Sequence, residues 1–299
     1  MPKTPVAILG LGIMGGGMAS RLLAAQFALS VYNRNPARAR PFADAGAFVA
    51  GSPAEAAARS EIILSMVADD DASRSVWLGE DGALRKLPPG RLLIECSTLS
   101  GGWIRELAAA ASQRGCDFLD APVTGSKAQA ASGELRFLVG GPEHTLQRAR
   151  PVLQAMGREI IHFGATGSGV LMKLINNFLC GVQAASLAEA MALVSAGGLE
   201  RAKALDILTT GAPGSPMVKS LSSRAEARDF TPNFELRLMA KDLRYSNAES
   251  ERIRNTGLQT VPGAIQIFEQ ATAAGFGEKD ISAVIEFLAN ARARRTGTE

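Results

Sequence analysis

Short apolar runs alternate with segments of helical periodicity along the first half of the chain. We predict seven of these runs as strands, the last two of which lie at 136–139 and 159–163. Short buried strands that alternate with helices are typical of a parallel sheet covered by helices on both faces. The pattern therefore predicts an α/β fold with a Rossmann-type, doubly wound parallel sheet. The first five predicted strands are Val6–Leu9, 28–32, 62–67, Leu92–Glu95 and Asp117–Asp120.

The second half of the chain has the periodicity of helices. An apolar segment at 169–196, with no internal breaker other than Gly181, predicts one helix about 40 Å long. Because this helix is apolar on most faces, we expect it to be buried between domains or subunits. Further helical segments are separated by loops near 211–216 and 229–233. The sequence thus predicts a Rossmann domain at 1–166 and an all-α domain at 167–299, joined by the long helix.

The composition of the 299 residues excludes several classes of protein. With 46% hydrophobic and 20% charged residues, the chain is typical of globular proteins. A net charge of +3, from 32 basic and 29 acidic residues, is too balanced for a nucleic-acid-binding protein. The sequence has neither the phosphate-binding loop of P-loop enzymes nor the G-x-S-x-G motif of serine hydrolases.

Cysteine and histidine usage indicates the compartment. Three scattered cysteines and two distant histidines predict neither a disulfide framework nor a metal site. The chain enters its first strand at once, so we expect no signal peptide. Polar residues inside the 169–196 helix disfavour a membrane span. These features predict a cytoplasmic protein without a membrane partner.

A glycine-rich hexad links the first strand to a helical pattern. In a G-x-G-x-x-G turn, the first glycine permits the tight turn and the second lets a pyrophosphate approach the backbone. The third glycine lets the helix pack closely on the strand, and the helix N-terminus offers free N–H groups to phosphates. The hexad therefore predicts a dinucleotide-binding turn. Its residues are Gly10, Leu11, Gly12, Ile13, Met14 and Gly15.

The end of the second strand indicates which dinucleotide is bound. NAD-selective sites commonly have an acidic residue here, whereas this chain has Asn33 and Arg34, with Arg38 farther on. A guanidinium pairs with a 2′-phosphate, so NADP(H) is favoured and NAD(H) remains possible. Alternatively, Asn35 caps a helix that begins at Pro36 and leaves Arg34 merely solvated. Both interpretations can hold together.

Three further segments are candidates for ligand contact. In parallel sheets ligands lie beyond the carboxyl ends of strands, which places Val67, Ala68 and Thr98 at the cofactor. Acidic residues 69–71 start a helix in the simpler interpretation. The turn formed by Thr124, Gly125 and Ser126 offers hydroxyls and backbone to a small carboxylate, or is an ordinary turn.

A lysine in the long apolar helix is the fourth candidate. Lys173 and Asn177 are four residues apart, so they lie on one helical face. A lysine on an apolar helix can instead extend its amine to solvent. The residues alone leave both interpretations of Lys173 open.

Taken in order, these motifs resemble the β-hydroxyacid dehydrogenase family, which includes 3-hydroxyisobutyrate dehydrogenase and tartronate semialdehyde reductase. The resemblance extends over almost the whole chain, and the branch that it most resembles is that of the glyoxylate and succinic semialdehyde reductases. The family motifs lie at 10–15, 120–125, 167–177 and 241–242, and those of the branch at 125–127, 230–234, 241–244 and 273–277.

The resemblance implies a role for each candidate. Lys173 would be the catalytic acid/base, Asn177 would help to hold the reacting oxygen, and 124–126 would bind the substrate carboxylate. The family usually has serine where this chain has Thr124, and 128–132 depart from the branch pattern, so the substrate stays open. Further implied contacts are Lys241 with cofactor or substrate, and Thr98, Phe234 and Asp242 in the pocket lining.

The implied activity is NAD(P)-dependent reduction of small aldehyde acids, such as glyoxylate, succinic semialdehyde and tartronate semialdehyde, or the reverse oxidation. A 3-hydroxyisobutyrate dehydrogenase and an imine reductase are alternatives, although the imine branch typically lacks a lysine at the position of Lys173. An alternative of another class is a non-catalytic dinucleotide-binding module, which retention of Lys173 also disfavours. We expect a homodimer or homotetramer.

Overall fold

A computed structural model describes residues 4–289. These residues form two compact units that divide between Lys173 and Leu174. The first unit contains a nine-stranded sheet. Its strands are β1 Val6–Leu9, β2 Leu29–Tyr32, β3 Phe48–Val49, β4 Ile62–Ser65, β5 Leu92–Glu95, β6 Asp117–Asp120, β7 Val123–Thr124, β8 Leu135–Gly140 and β9 Gly157–Gly164.

The strand order confirms the predicted Rossmann-type fold. Strands β3-β2-β1-β4-β5-β6 are hydrogen-bonded neighbours in that order, and all five of these pairs are parallel. This is the order of doubly wound dinucleotide-binding sheets. Strands β1, β4 and β5 are buried along their whole length, which explains why they consist almost entirely of apolar residues. The order brings the carboxyl ends of β1, β4, β5 and β6 to one edge of the sheet.

The helices of the first unit lie between successive strands. Several begin at side-chain caps: Asp69 accepts from the N–H of Ala72 and Ser100 from that of Trp103. Acidic residues 69–71 therefore start a helix, as the simpler interpretation predicted. The helices are α1 Ile13–Ala24, α2 Arg40–Asp44, α3 Pro53–Ala58, α4 Asp70–Leu78, α5 Gly101–Gln113, α6 Lys127–Ser132 and α7 Glu143–Met156.

The last part of the sheet departs from the predicted parallel arrangement. Strand β8 is antiparallel to both β6 and β7, whereas β9 is parallel to β8. A parallel neighbour needs a long crossover, usually through a helix. The connection from β6 to β8 already contains β7 and the short α6, so it carries no full-length helix across the sheet. The 14-residue α7 provides such a crossover between β8 and β9.

The second unit is all-helical, as predicted. It begins inside the long helix α8, Ser168–Ala196. Gly181 of α8 allows helix Leu236–Arg254 to approach, because a Cβ there would lie 2.8 Å from Met239 Sδ and 2.9 Å from Leu243 Cδ2. The apolar core includes Phe268 and Met239, both buried. The remaining helices are α9 Arg201–Thr210, α10 Pro216–Glu226, α11 Leu236–Arg254, α12 Val261–Ala271 and α13 Ala283–Ala289.

Helix α8 is less buried than its composition predicts. Among the described helices it alone is long and apolar enough to cross a membrane, with a mean hydropathy of 1.5 over an 18-residue window. Only 39% of that window is buried, and Leu179 and Leu193 are exposed. Core helices of soluble proteins meet the same criterion of length and hydropathy, so this property alone assigns no membrane contact.

Candidate active site

The glycine turn after β1 has the geometry that its sequence predicts. Gly10 adopts a φ of +103°, and a Cβ there would lie 2.3 Å from the Met66 carbonyl oxygen. A Cβ on Gly15 would lie 2.0 Å from the Gly10 carbonyl oxygen. Over Gly12, in contrast, the nearest atom to a Cβ is Nη1 of Arg38 at 3.7 Å. Gly10 and Gly15 are therefore required by packing, whereas Gly12 leaves an open approach to the backbone.

This turn fits the pyrophosphate of a dinucleotide. Helix α1 begins after Gly12, whose residue type leaves the first N–H groups without a side-chain cap. Such groups, together with the positive end of the helix dipole, bind phosphate oxygens. The backbone from Gly12 to Gly15 would hold the phosphates, with Arg38 beside it.

Asn33 braces the glycine turn from the end of β2. Its Oδ1 accepts a hydrogen bond from the N–H of Leu11 at 2.8 Å, and its Nδ2 donates to the Asn35 carbonyl at 2.8 Å. The sequence predicts Asn33 as a cofactor contact, which stays a prediction, and the structure adds its two bonds to the backbone. Its amide therefore fixes the position of the segment that would receive the phosphates.

The segment after Asn33 contains the predicted cap, and the pairing of Arg34 with a 2′-phosphate stays a prediction. Asn35 Oδ1 accepts from the N–H of Ala37 at 3.0 Å and caps a single 3₁₀ turn that begins at Pro36. Arg34 and Arg38 are exposed, and the Arg38 guanidinium approaches Gly12. The predicted cap is confirmed, as a 3₁₀ turn, and this segment brings the Arg38 guanidinium near the glycine turn.

The loops that follow β4 and β5 are joined by hydrogen bonds at the same edge of the sheet. Ser97 Oγ accepts from the N–H of Val67 at 2.8 Å. Asp70 accepts from both the N–H and the hydroxyl of Ser100, at 2.9 and 2.5 Å. These bonds hold the two loops together where the cofactor is expected. The predicted contacts Val67, Ala68 and Thr98 lie in these loops and are half-buried.

A buried carboxylate that the sequence analysis did not identify supports these loops. Glu95 is completely buried, and its carboxylate accepts from Ser73 Oγ at 2.7 Å, Trp77 Nε1 at 2.8 Å and the Ser97 N–H at 2.9 Å. Trp103 Nε1 in turn donates to Ser73 Oγ at 2.9 Å. Burial raises the pKa of the Glu95 carboxyl, and the hydrogen bonds from its neighbours oppose this. In sequence, Glu95 is one polar residue in an apolar strand, which is its only visible signal.

The predicted carboxylate-binding turn is already engaged by a side chain of this chain. Gly125 has a φ of +121°, and Ser126 begins α6. Oε1 of Gln129 accepts from both the N–H and the hydroxyl of Ser126, at 2.9 and 2.7 Å. A Cβ on Gly125 would lie 3.0 Å from the Cβ of Gln129, so this side chain packs against the turn. Thr124, at the end of β7, and Ser126 are half-buried.

Helix α8 begins beside the carboxyl end of β6. Asp120, which is fully buried, accepts from the N–H groups of Gly167 and Val170 at 2.7 and 2.8 Å. Lys173 follows in the second turn of α8 and is half-buried. The helix that carries the predicted catalytic lysine is thus attached to the strand that leads into the 124–126 turn.

In the second unit, three predicted site residues form one buried cluster. Asn177 Nδ2 donates to Asp242 Oδ2 at 2.6 Å, and Lys241 Nζ lies 3.0 Å from Asp242 Oδ1. All three residues are buried, and the Lys241 amine lies 5.2 Å from the Tyr245 ring centroid. Phe234 is packed against the hydrophobic core of this unit. The amide of Asn177 therefore has its orientation fixed by a paired carboxylate.

Both halves of the chain match known protein families. Residues 5–164 match the NAD-binding domain of 6-phosphogluconate dehydrogenase, and residues 167–288 match the NAD-binding domain of NADP-dependent 3-hydroxyisobutyrate dehydrogenase. NAD-dependent L-serine dehydrogenase of Pseudomonas aeruginosa is 35% identical over 93% of this chain and 96% of that protein. The chain belongs to the β-hydroxyacid dehydrogenase family. It is therefore an oxidoreductase that acts on CH–OH groups.

Two further relatives of this β-hydroxyacid dehydrogenase are close in sequence and structure. 3-Hydroxyisobutyrate dehydrogenase of P. aeruginosa is 36% identical over 84% of this chain and 87% of that protein. The structure of 3-hydroxyisobutyrate dehydrogenase of Mycobacterium tuberculosis with L-serine has a TM-score of 0.84 and 34% identity, and the alignment covers 95% of this chain and 99% of that chain. These matches confirm the predicted family and fold, while the roles of individual residues and the glyoxylate or semialdehyde branch stay predictions.

Proposed function

We propose that this β-hydroxyacid dehydrogenase interconverts short hydroxy acids and aldehyde acids, with NADP(H) as the preferred cofactor and Lys173 as the acid/base. One observation carries the proposal. The helix that bears Lys173 begins at the carboxyl end of β6, at the same edge of the sheet as the glycine turn and the 124–126 turn. This arrangement supports a proton donor, a carboxylate-binding segment and a nicotinamide at one sheet edge.

The proposed chemistry divides the reaction between hydride and proton. When bound, the nicotinamide supplies the hydride to the carbonyl carbon or accepts it from the alcohol. In the reductive direction, the Lys173 ammonium donates its proton to the carbonyl oxygen as that oxygen gains electrons. In the oxidative direction, the neutral amine accepts the hydroxyl proton. Asn177, four residues later on α8, is proposed to hold the same oxygen.

The names of relatives define the substrates to test. L-Serine, 3-hydroxyisobutyrate and L-threonate appear in the names of dehydrogenases that are 34–36% identical to this chain. Each of these compounds combines one carboxylate with a short carbon chain and an oxidisable hydroxyl. We propose that the same substrate class is used here and extends to the aldehyde acids glyoxylate, succinic semialdehyde and tartronate semialdehyde.

A substrate panel tests the proposed function directly. The three hydroxy acids are assayed with NAD⁺ and NADP⁺, and the three aldehyde acids with NADH and NADPH, with a cyclic imine as a negative control. We expect turnover of at least one acid and none of the imine. Tight NADPH binding without turnover of any acid in the panel contradicts the proposal and favours a non-catalytic dinucleotide-binding protein.

Arg34 provides a test of the cofactor preference. We expect Arg34→Ala to raise the KM for NADPH about tenfold or more and that for NADH less than twofold, because only NADPH carries the 2′-phosphate that the guanidinium would pair with. Steady-state kinetics with both cofactors measures the difference. Arg40→Ala, another exposed arginine farther along the same segment, is the control. Equal effects of Arg34→Ala on both cofactors contradict the proposed preference.

Gln129 provides a test of the carboxylate-binding turn. Its Oε1 occupies the two donors of Ser126 that a substrate carboxylate would use. If the substrate must displace this oxygen at a cost of about 1 kcal/mol, Gln129→Ala lowers the substrate KM about fivefold. Gln147→Ala, an exposed glutamine on α7, is the control and leaves KM unchanged. A higher KM for Gln129→Ala would instead assign Gln129 to holding the turn in its binding conformation.

A further inference from the structure

The buried carboxylate of Asp120 connects the end of β6 to the start of α8. The first N–H groups of a helix have no partner within the helix. Oδ1 of Asp120 accepts from the N–H of Gly167 at 2.7 Å, and Oδ2 accepts from the N–H of Val170 at 2.8 Å. Asp120 therefore acts as the N-terminal cap of α8, although it lies 48 residues before Ser168 and on a different element.

The surrounding backbone packs closely around this carboxylate. A Cβ on Gly140 of β8 would lie 2.5 Å from Oδ1 and 2.8 Å from Oδ2 of Asp120. A Cβ on Gly169 would lie 2.9 Å from the Asp120 carbonyl oxygen and 2.3 Å from the Leu138 carbonyl oxygen. Glycines at both positions let α8 begin in direct contact with the ends of β6 and β8. The start of the helix is consequently fixed against the sheet.

Lys173 is close enough to this contact that a shift of the start of α8 would move its amine. It follows Val170 by three residues, which is about one helical turn. A helical side chain is directed toward the N-terminal turn of its helix, which for Lys173 is the turn that Asp120 holds. In the other direction along the chain, Asp120 precedes Thr124 by four residues. One side chain thus connects the helix of the proposed acid/base with the segment proposed to bind the carboxylate.

We propose that Asp120 is a positioning residue, which sets the place of the Lys173 amine relative to the substrate turn by capping α8 from β6. The inference rests on the proposed role of Lys173 and adds to it a residue that would touch neither substrate nor cofactor.

The protonation state of Asp120 supplies a readout for this role. Burial raises the pKa of Asp120 to about 6, although its hydrogen bonds with backbone N–H groups lower it. Lys173 lies on α8, which Asp120 caps. The ionisable residues on the elements packed against β6 are Glu95, its register partner on β5, Arg136 on β8, Arg105 and Glu106 on α5, and Glu143, His144, Arg148 and Arg150 on α7. The ionised carboxylate accepts both N–H groups well, whereas the protonated acid presents a hydroxyl to one of them. Asp120→Asn has the shape of the protonated acid, with one acceptor and one donor.

The test compares Asp120→Asn with the wild type, Lys173→Ala and Asp117→Asn. Asp117 is the control, because it lies at the other end of β6 in a partly exposed ion pair with Arg148. For Asp120→Asn we expect kcat about tenfold lower at pH 8, with Kd for NADPH and substrate KM within twofold of wild type. We also expect wild-type kcat to fall as the pH decreases through about 6, and this fall to be absent from Asp120→Asn. Asp117→Asn should match the wild type in every measurement.

Three results overturn the inference. Wild-type kcat and pH profile in Asp120→Asn show that the cap does not position the lysine. If Asp120→Asn loses Tm, NADPH affinity and kcat together while its pH profile stays that of the wild type, the role of Asp120 is purely structural. If Asp120→Asn does not fold, Asp120→Ser, which keeps one small acceptor, is tested by the same measurements. Failure of both variants to fold also overturns the inference.

The Lys173→Ala variant separates this inference from the proposed function. Wild-type turnover by Lys173→Ala contradicts the proposed function itself, and a defect confined to Lys173→Ala contradicts only the role of Asp120.

Discussion

Lys173→Ala is expected to lower kcat about 10³-fold at neutral pH while the Kd for NADPH stays within twofold of wild type. Loss of a positioned proton donor typically costs about 10² to 10⁴ in rate. The glycine turn that would hold the cofactor is built from other elements, β1 and α1, and does not depend on this side chain. Single-turnover reduction of the preferred aldehyde acid, combined with a fluorescence titration of NADPH, measures both quantities.

The control for this prediction is Lys219→Ala, which removes an exposed lysine from α10. It should leave both kcat and Kd unchanged. Lys173→Arg should also be slow, since a guanidinium remains protonated at working pH and is a poor proton donor. Turnover of Lys173→Ala within threefold of wild type would remove the lysine from the chemistry.

Gly12→Ala is expected to weaken cofactor binding about 100-fold without unfolding the protein. The φ of Gly12 is −70°, which alanine adopts freely, and the nearest atom to the new methyl is the flexible end of Arg38 at 3.7 Å. The methyl would occupy the space through which the pyrophosphate approaches. Loss of two charge-assisted hydrogen bonds costs about 3 kcal/mol, so Kd rises about 100-fold for both NADPH and NADH.

Gly16→Ala is the matched control, because it adds the same methyl group one turn along α1. Its Cβ would meet nothing closer than 3.9 Å, and alanine favours the helix more than glycine does. We expect unchanged Kd and a Tm equal to or above that of wild type. Thermal unfolding of both variants separates loss of binding from loss of fold. A Gly12→Ala protein that binds NADPH normally would contradict the pyrophosphate assignment.

The sequence predicts the first unit well where local pattern and burial coincide. Strands β1 and β5 have the predicted limits because fully buried parallel strands are short, mostly apolar and bounded by turns. Strand β6, with an aspartate at each end, also has its predicted limits. Helix α8 begins at Ser168, one residue before its predicted start, and ends at the predicted Ala196 because Gly197 and Gly198 terminate it. The two-residue strands β3 and β7 carry too little periodicity to be recognised.

The features that sequence reasoning missed depend on contacts between distant residues. The sequence predicts Asn33 as a cofactor contact, but not the hydrogen bond that it accepts from the N–H of Leu11, 22 residues away. Glu95 gains its significance from three donors that the fold brings around it. The antiparallel pairing of β8 with β6 depends on which edge of the sheet is still free when β8 is added. The residues of β6 and β8 do not by themselves indicate this direction.

The hydrogen-bond network around Glu95 also allows intrinsic tryptophan fluorescence to report on the folding of the first unit. The chain has two tryptophans, Trp77 and Trp103, and both indoles belong to this network beneath the expected cofactor edge. All tryptophan emission therefore originates in the first unit, where the indole N–H groups are removed from water. Unfolding of this unit can be followed by fluorescence without a label. Circular dichroism, to which the helices of both units contribute, can follow the second unit in the same sample.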